Sequence, residues 1–124
     1  MIAGDTSSLI EYLGGGKGPD IDAIDRALAL GELCIPPVVI TELLGGGDAP
    51  ARLERVITSI NVLDPTEGYW QRAGRIRAVL RARGHRAPVA DTLICQSCLD
   101  YDVALITRDS DFLVFAKNCG LKLL

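Results

Sequence analysis

The chain has 124 residues, of which 48% are hydrophobic, and carries 13 basic and 16 acidic side chains for a net charge of -3. Those values suit one domain, residues 1–124, with a core of its own, and exclude a molecule-wide basic field that would gather nucleic acid. No apolar run reaches the ~20 residues of a membrane-spanning helix, and the start, MIAGDTSS, lacks the basic and long apolar segments of an export leader, so the expected location is the cytoplasm with no membrane contact.

In chain order, Ile2–Ala3 reads as a short strand and Thr6 to Leu13 as a helix, followed by the loop GGGKG at 14–18. A helix over Asp22–Leu30 ends at Gly31, and Leu33–Ile35 reads as a strand. Pro37 suits the first turn of the helix VVITELL, which stops at Gly45 in the loop GGGD at 45–48. Ala51–Ser59 reads as a helix, INVLD as a strand, and Thr66 to Arg83 as a long helix with Ala73, Ile76 and Leu80 on one face. A helix over Val89–Leu99 leads into the strand VALIT, and the terminal LKLL reads as an edge strand. Alternating strands and helices imply crossover connections: an α/β fold of three α/β/α layers around a mostly parallel sheet of four or five strands. Sites in such sheets form beyond the C-terminal ends of the strands.

Four acids stand out against that frame. Asp5 follows the first strand directly, where the plain alternative is a helix N-cap. Asp91 lies near the start of its helix, where a first-turn acid is ordinary. Asp109 follows VALIT by two residues, where turn chemistry is ordinary, and Asp111 stands one serine further on. Glu42 is harder to place. Projecting VVITELL at about 100° per residue sets it between Val38 and Val39 on an apolar face, with no cation three or four residues away on its own helix. A buried carboxylate needs a partner, a proton or a metal. If these acids converge, two carboxylates ~4 Å apart repel by about 4 kcal/mol at an effective dielectric of 20. A hard divalent cation with oxygen ligands, Mg²⁺ or Mn²⁺, removes that repulsion.

Four segments in order carry a resemblance: DTSSLIEYL, VVITELLGG, ADTLICQSC and ALITRDSDF. The chain resembles a small PIN-domain protein of the kind found as VapC-type toxins in toxin–antitoxin pairs, across nearly its whole length. The resemblance implies a metal-dependent endoribonuclease with catalytic acids Asp5, Glu42, Asp91 and Asp109, of which Asp5, Asp91 and Asp109, with Asp111 as a further ligand, hold the metal. A metal-activated water would then attack the RNA phosphodiester in line and leave 5′-phosphate and 3′-hydroxyl ends. Thr6 and Thr107 are expected to steady those ligands. Relatives usually carry asparagine where Ser7 stands and a longer first strand than Ile2-Ala3-Gly4, so weaker support for Asp5 and a less secure first strand are expected. The resemblance also implies a cognate antitoxin and a homodimer that builds a shared RNA groove.

Other features are weighed against that reading. Six arginines and no acid lie between Gln71 and Ala90. They suit either a solvated helix face or contacts to RNA phosphates through Arg77, Arg81, Arg83 and Arg86. His85 among them is a surface residue or a phosphate contact. The four cysteines are expected to be reduced. Cys95 and Cys98 form C-x-x-C, but inside a helix and without a second ligand pair, so they read as core; Cys34 and Cys119 are expected to be buried too. Tyr69, Trp70 and Phe112 read as core or interface. The rival from another class is a phospho-receiver domain with Asp64 of INVLDP as phosphoacceptor, which lacks paired acids after the first strand and gives Glu42 no task. A catalytically silent PIN-like binding module is the third reading.

Overall fold

The computed structural model describes residues 1–46 and 51–124; Gly47 and Asp48 of the GGGD loop lie outside them. The chain runs β1 (Ile2–Gly4), α1 (Thr6–Leu13), α2 (Pro19–Ala29), β2 (Leu33–Ile35), α3 (Pro37–Leu44), α4 (Ala51–Thr58), β3 (Asn61–Val62), α5 (Tyr69–Ala82), α6 (Val89–Tyr101), β4 (Ala104–Ile106), a 3-10 turn (Ser110–Phe112) and α7 (Leu113–Cys119). The four strands form one parallel sheet in the order β3-β2-β1-β4. β1 is central: Ile2 and Ala3 pair with Leu33 and Cys34 of β2, and Ile2, Ala3 and Gly4 pair with Ala104, Leu105 and Ile106 of β4. The terminal LKLL contributes a single parallel bridge, Leu105 to Leu123, outside β4.

The strands are short because the core needs only one buried stretch from each. Ala3, Cys34, Ile35, Leu105 and Ile106 are fully covered, and such continuous burial marks a parallel sheet with helices on both faces. Leu9, Ile24, Val39, Leu80, Ile94, Phe112 and Phe115 close over it from the helices. Gly4 strengthens β1 rather than weakening it. It pairs with Ile106, and a Cβ there would lie 3.3 Å from Leu9 Cγ and Cδ1, so glycine lets α1 pack directly on the strand it leaves.

Several boundaries differ from those predicted. α2 begins at Pro19 rather than Asp22, since a proline needs no N–H partner in a helix's first turn. α5 begins at Tyr69 rather than Thr66, after Gly68 in the left-handed region at φ 81°. β3 keeps two residues of INVLD because it is an edge strand, and α7 is too short to leave a readable period. Cys34, Cys95 and Cys98 are buried free thiols, with Cys98 pushed up to about 12 by burial, which leaves the C-x-x-C as core packing. Cys119 is only partly covered. Tyr69 and Phe112 are core, whereas Trp70 is 64% exposed.

Candidate active site

The central position of β1 beside β4 brings the ends of two strands together. Asp5 follows β1 and is 4% exposed. Its Oδ1 accepts from the Thr6 amide at 2.7 Å, which caps α1 as the sequence allows. Its Oδ2 accepts from Ser7 Oγ at 2.8 Å and from Thr107 Oγ1 at 2.6 Å. Thr107, just past β4, also accepts from the Asp109 amide at 3.0 Å. One hydroxyl therefore ties the acid after β1 to the acid after β4. Ser7 corrects an expectation: it supports Asp5 directly, because a hydroxyl two residues on reaches the carboxylate without the longer amide.

Asp109 and Asp111 are arranged by the 3-10 turn that follows β4. Asp109 Oδ1 accepts from the Asp111 amide at 2.9 Å, so Asp109 does serve the turn, and the turn in turn aims both acids. Asp91, in the first turn of α6, makes no capping bond at the helix start. Asp91, Asp109 and Asp111 each place a carboxylate oxygen within 4.8 Å of the others. The Asp91 carboxyl is pushed up to about 6, first by burial and then by the charges of Asp109, Asp5, Glu42 and Asp111. Five acids thus share one end of the sheet. None of them enters an ion pair among the described residues.

Glu42 reaches this group by a different route from the one expected. It is exposed, not buried. Val39 and Leu43 define the inner face of α3, and Glu42 lies about 80° from their midpoint, at the flank. The eight-residue helix is apolar almost all round, so projection alone had no polar face to orient it. Thr6 Oγ1 donates to Glu42 Oε1 at 2.8 Å, joining α3 to the start of α1. Thr6 therefore holds Glu42, and Thr107 holds Asp5 and Asp109.

A further ion pair braces the turn between the acids. Arg108 turns away from its neighbours, and its Nε and Nη2 donate to Asp20 Oδ2 and Oδ1, each at 2.8 Å. Ser8 Oγ donates to Asp20 Oδ2 at 2.9 Å, and Glu11 Oε2 lies 3.5 Å from Arg108 Nη1. The arginine holds the Asp20 carboxyl at about 2, chiefly through its hydrogen bond. No local pattern announces a pair 88 residues apart. The α6 side is braced by Arg72, whose Nη2 lies 2.7 Å from Asp100 Oδ2, and by the Tyr69 hydroxyl donating to Leu93 O at 2.7 Å. Asp64 is exposed at the end of the edge strand β3, apart from the five acids.

The donor set fits a divalent cation. Three carboxylate oxygens converge without a protein cation to answer them, and oxygen ligands suit a hard ion such as Mg²⁺ or Mn²⁺.

The model of the PIN domain matches residues 2–118. No curated protein matches the sequence. Solved structures share the fold over the whole chain. VapBC-1 from nontypeable Haemophilus influenzae is 23% identical with a TM-score of 0.76, covering 100% of this chain and 97% of that one. VapBC2 from Rickettsia felis, bound to a DNA fragment from its promoter, is 17% identical with a TM-score of 0.75, covering 100% and 98%. A toxin–antitoxin complex from Klebsiella pneumoniae is 17% identical with a TM-score of 0.70, covering 98% and 95%.

Proposed function

We propose that this chain, which belongs to the PIN-domain family, is a metal-dependent endoribonuclease and the toxin of a toxin–antitoxin pair. The observation that carries this reading is the meeting of Asp91, Asp109 and Asp111 at the strand ends where Asp5 is held. Asp91, Asp109 and Asp111 would hold Mg²⁺ or Mn²⁺, with Asp5 beside them. Such an ion, when bound, acidifies water for in-line attack on a phosphodiester and offsets charge on its oxygens. The residues of the chain do the rest. Ser7 and Thr107 fix both Asp5 oxygens, Thr107 and the 3-10 turn fix Asp109, and Thr6 holds Glu42 at the rim. No histidine is needed as a base, and the products would carry 5′-phosphate and 3′-hydroxyl ends.

The toxin role is supported by structural neighbours that include a toxin–antitoxin complex. A cognate antitoxin would cover the acidic end of the sheet, with arginine or bulky side chains answering its charge. A homodimer would extend the small surface of one copy into a groove for RNA, and both partners would meet in the cytoplasm. The deciding experiment is RNA cleavage by the wild type and by Asp91→Asn, with Mg²⁺ or Mn²⁺ and with EDTA. The expected outcome is cleavage by wild type with metal and loss of at least about a hundredfold in rate for the variant. Equal cleavage by both proteins would overturn the reading.

A further inference from the structure

Beside the acids lies a feature that the proposed chemistry leaves unused. Arg77, Arg81, His85, Arg86, Ala87 and Pro88 line an open pocket of about 360 Å³. Arg77 and Arg81 stand one turn apart on the same face of α5. Gly84, at φ 80°, reverses the chain after the helix, and the His85 amide donates to Leu80 O at 2.9 Å, which brings His85 and Arg86 back alongside. Arg77 Nε donates to Ala87 O at 2.7 Å, fixing its stem while its terminal nitrogens stay available.

These cations have no protein counter-charge. The ion pairs among the described residues take Arg72, Arg108 and Lys122, and none takes Arg77, Arg81 or Arg86. Arg83 points elsewhere, donating to Asn118 Oδ1 at 2.9 Å. Service to the negative end of the α5 dipole accounts for Arg81 in the last turn. It does not account for Arg86, beyond the helix end, or for Arg77, a turn earlier. Three guanidinium groups on one pocket repel each other until an anion joins them.

The position of the pocket names the anion. Arg86 and Pro88 also line a neighbouring pocket of about 250 Å³ together with Asp111 and Val114. The cationic pocket and the acids are therefore separated by one side chain. We propose that this pocket binds the phosphodiester backbone of the single RNA strand whose reacting phosphate lies at the carboxylates, with Arg86 nearest the acids and Arg77 and Arg81 further out. That the anion is RNA rests on the nuclease reading; that the pocket takes a chain of phosphates does not. His85 is the only ring on its lining, so the contact reads phosphates and contributes affinity without base preference.

The test is binding of a fluorescein-labelled oligouridylate by anisotropy in EDTA, where no cleavage intervenes, over a series of salt concentrations. The variant Arg81→Gln/Arg86→Gln should bind at least about tenfold more weakly. Its plot of log affinity against log salt should be shallower by about 1.4, the value for two lost contacts to a single strand. Arg75→Gln, which removes an exposed α5 cation outside the pocket, should bind as the wild type does, and matching melting curves show that all three proteins are folded. An unchanged salt slope in the double variant, or an equal loss in Arg75→Gln, would overturn the subsite. So would displacement of the oligonucleotide by polyglutamate at equal charge concentration, which would assign the pocket to an acidic polypeptide. The two readings fail separately: pocket-dependent binding without metal-dependent cleavage sinks only the nuclease, and cleavage with unaltered binding in the double variant sinks only the subsite.

Discussion

Thr107 concentrates more of the site's geometry than any acid does. Its hydroxyl donates to Asp5 and accepts from the Asp109 amide, so replacing it with valine keeps the shape of the side chain and removes both bonds. Thr107→Val is expected to lower kcat for RNA cleavage about 10–100-fold with little change in KM, and Thr107→Ser to restore most of it, as measured in steady-state kinetics. Asp91 shows the opposite side of the same design. Its carboxyl stands at about 6 in the metal-free protein against an ordinary 3.8. Proton uptake by Asp91 therefore stabilises the fold, fully below about pH 4, and that contribution is lost as pH rises through about 6. Asparagine at this position escapes the loss. In EDTA at pH 7.5, Asp91→Asn should melt roughly 3–5 °C above the wild type, reflecting about 1 kcal/mol after solvent screening, while at pH 4 the two should melt together in calorimetry. A residue kept at a cost to stability is the mark of a site.

At the level of elements, the site is made by junctions rather than by strands. α1 starts on Asp5, α3 offers Glu42 from its flank, α6 brings Asp91 in its first turn, and the 3-10 turn presents Asp109 and Asp111. The Arg108–Asp20 pair ties that last turn to the start of α2. Because Asp20 is held at about 2 rather than 3.8, its ionised form adds stability that is complete above about pH 4 and lost as pH falls through about 2. Arg108→Gln should therefore lower Tm by a few degrees at neutral pH, with the difference from wild type vanishing near pH 2, in thermal melts across that range. C-x-x-C on α6 shows the converse lesson, since two buried thiols raised by burial pack the core and leave chemistry to the helix's first turn.

For the whole molecule, the sheet order decides everything about the site. With β1 between β2 and β4, chain ends that are 100 residues apart lie side by side, and the carboxylates they carry repel until a cation joins them. Added Mn²⁺ or Mg²⁺ is expected to raise Tm in proportion to occupancy, by about 2.7 kcal/mol of stability at a hundredfold excess over Kd. The shift should vanish in Asp91→Asn and shrink below pH 6, where protons compete for Asp91. Differential scanning fluorimetry with and without metal measures both effects. Among the described residues no helix is long and apolar enough to cross a membrane.

Much of this was legible in one dimension. The alternation of apolar strands with amphipathic helices determined the parallel α/β class, and acids placed just past the first and last core strands pointed to the site, because a parallel sheet gathers its strand ends by topology. Local patterns also located α1, β2 and α3 to within a residue. Tertiary structure alone decided the rest. It set Glu42 at the flank of α3, since an apolar helix of eight residues has no period to orient it. It made Ser7 and Thr107 partners of one carboxylate and paired Arg108 with Asp20, contacts between residues distant in sequence that no spacing encodes. It divided the arginines of one helix and loop into a pocket beside the acids and side chains spent on packing, because direction in space, unlike charge, is not written along the chain.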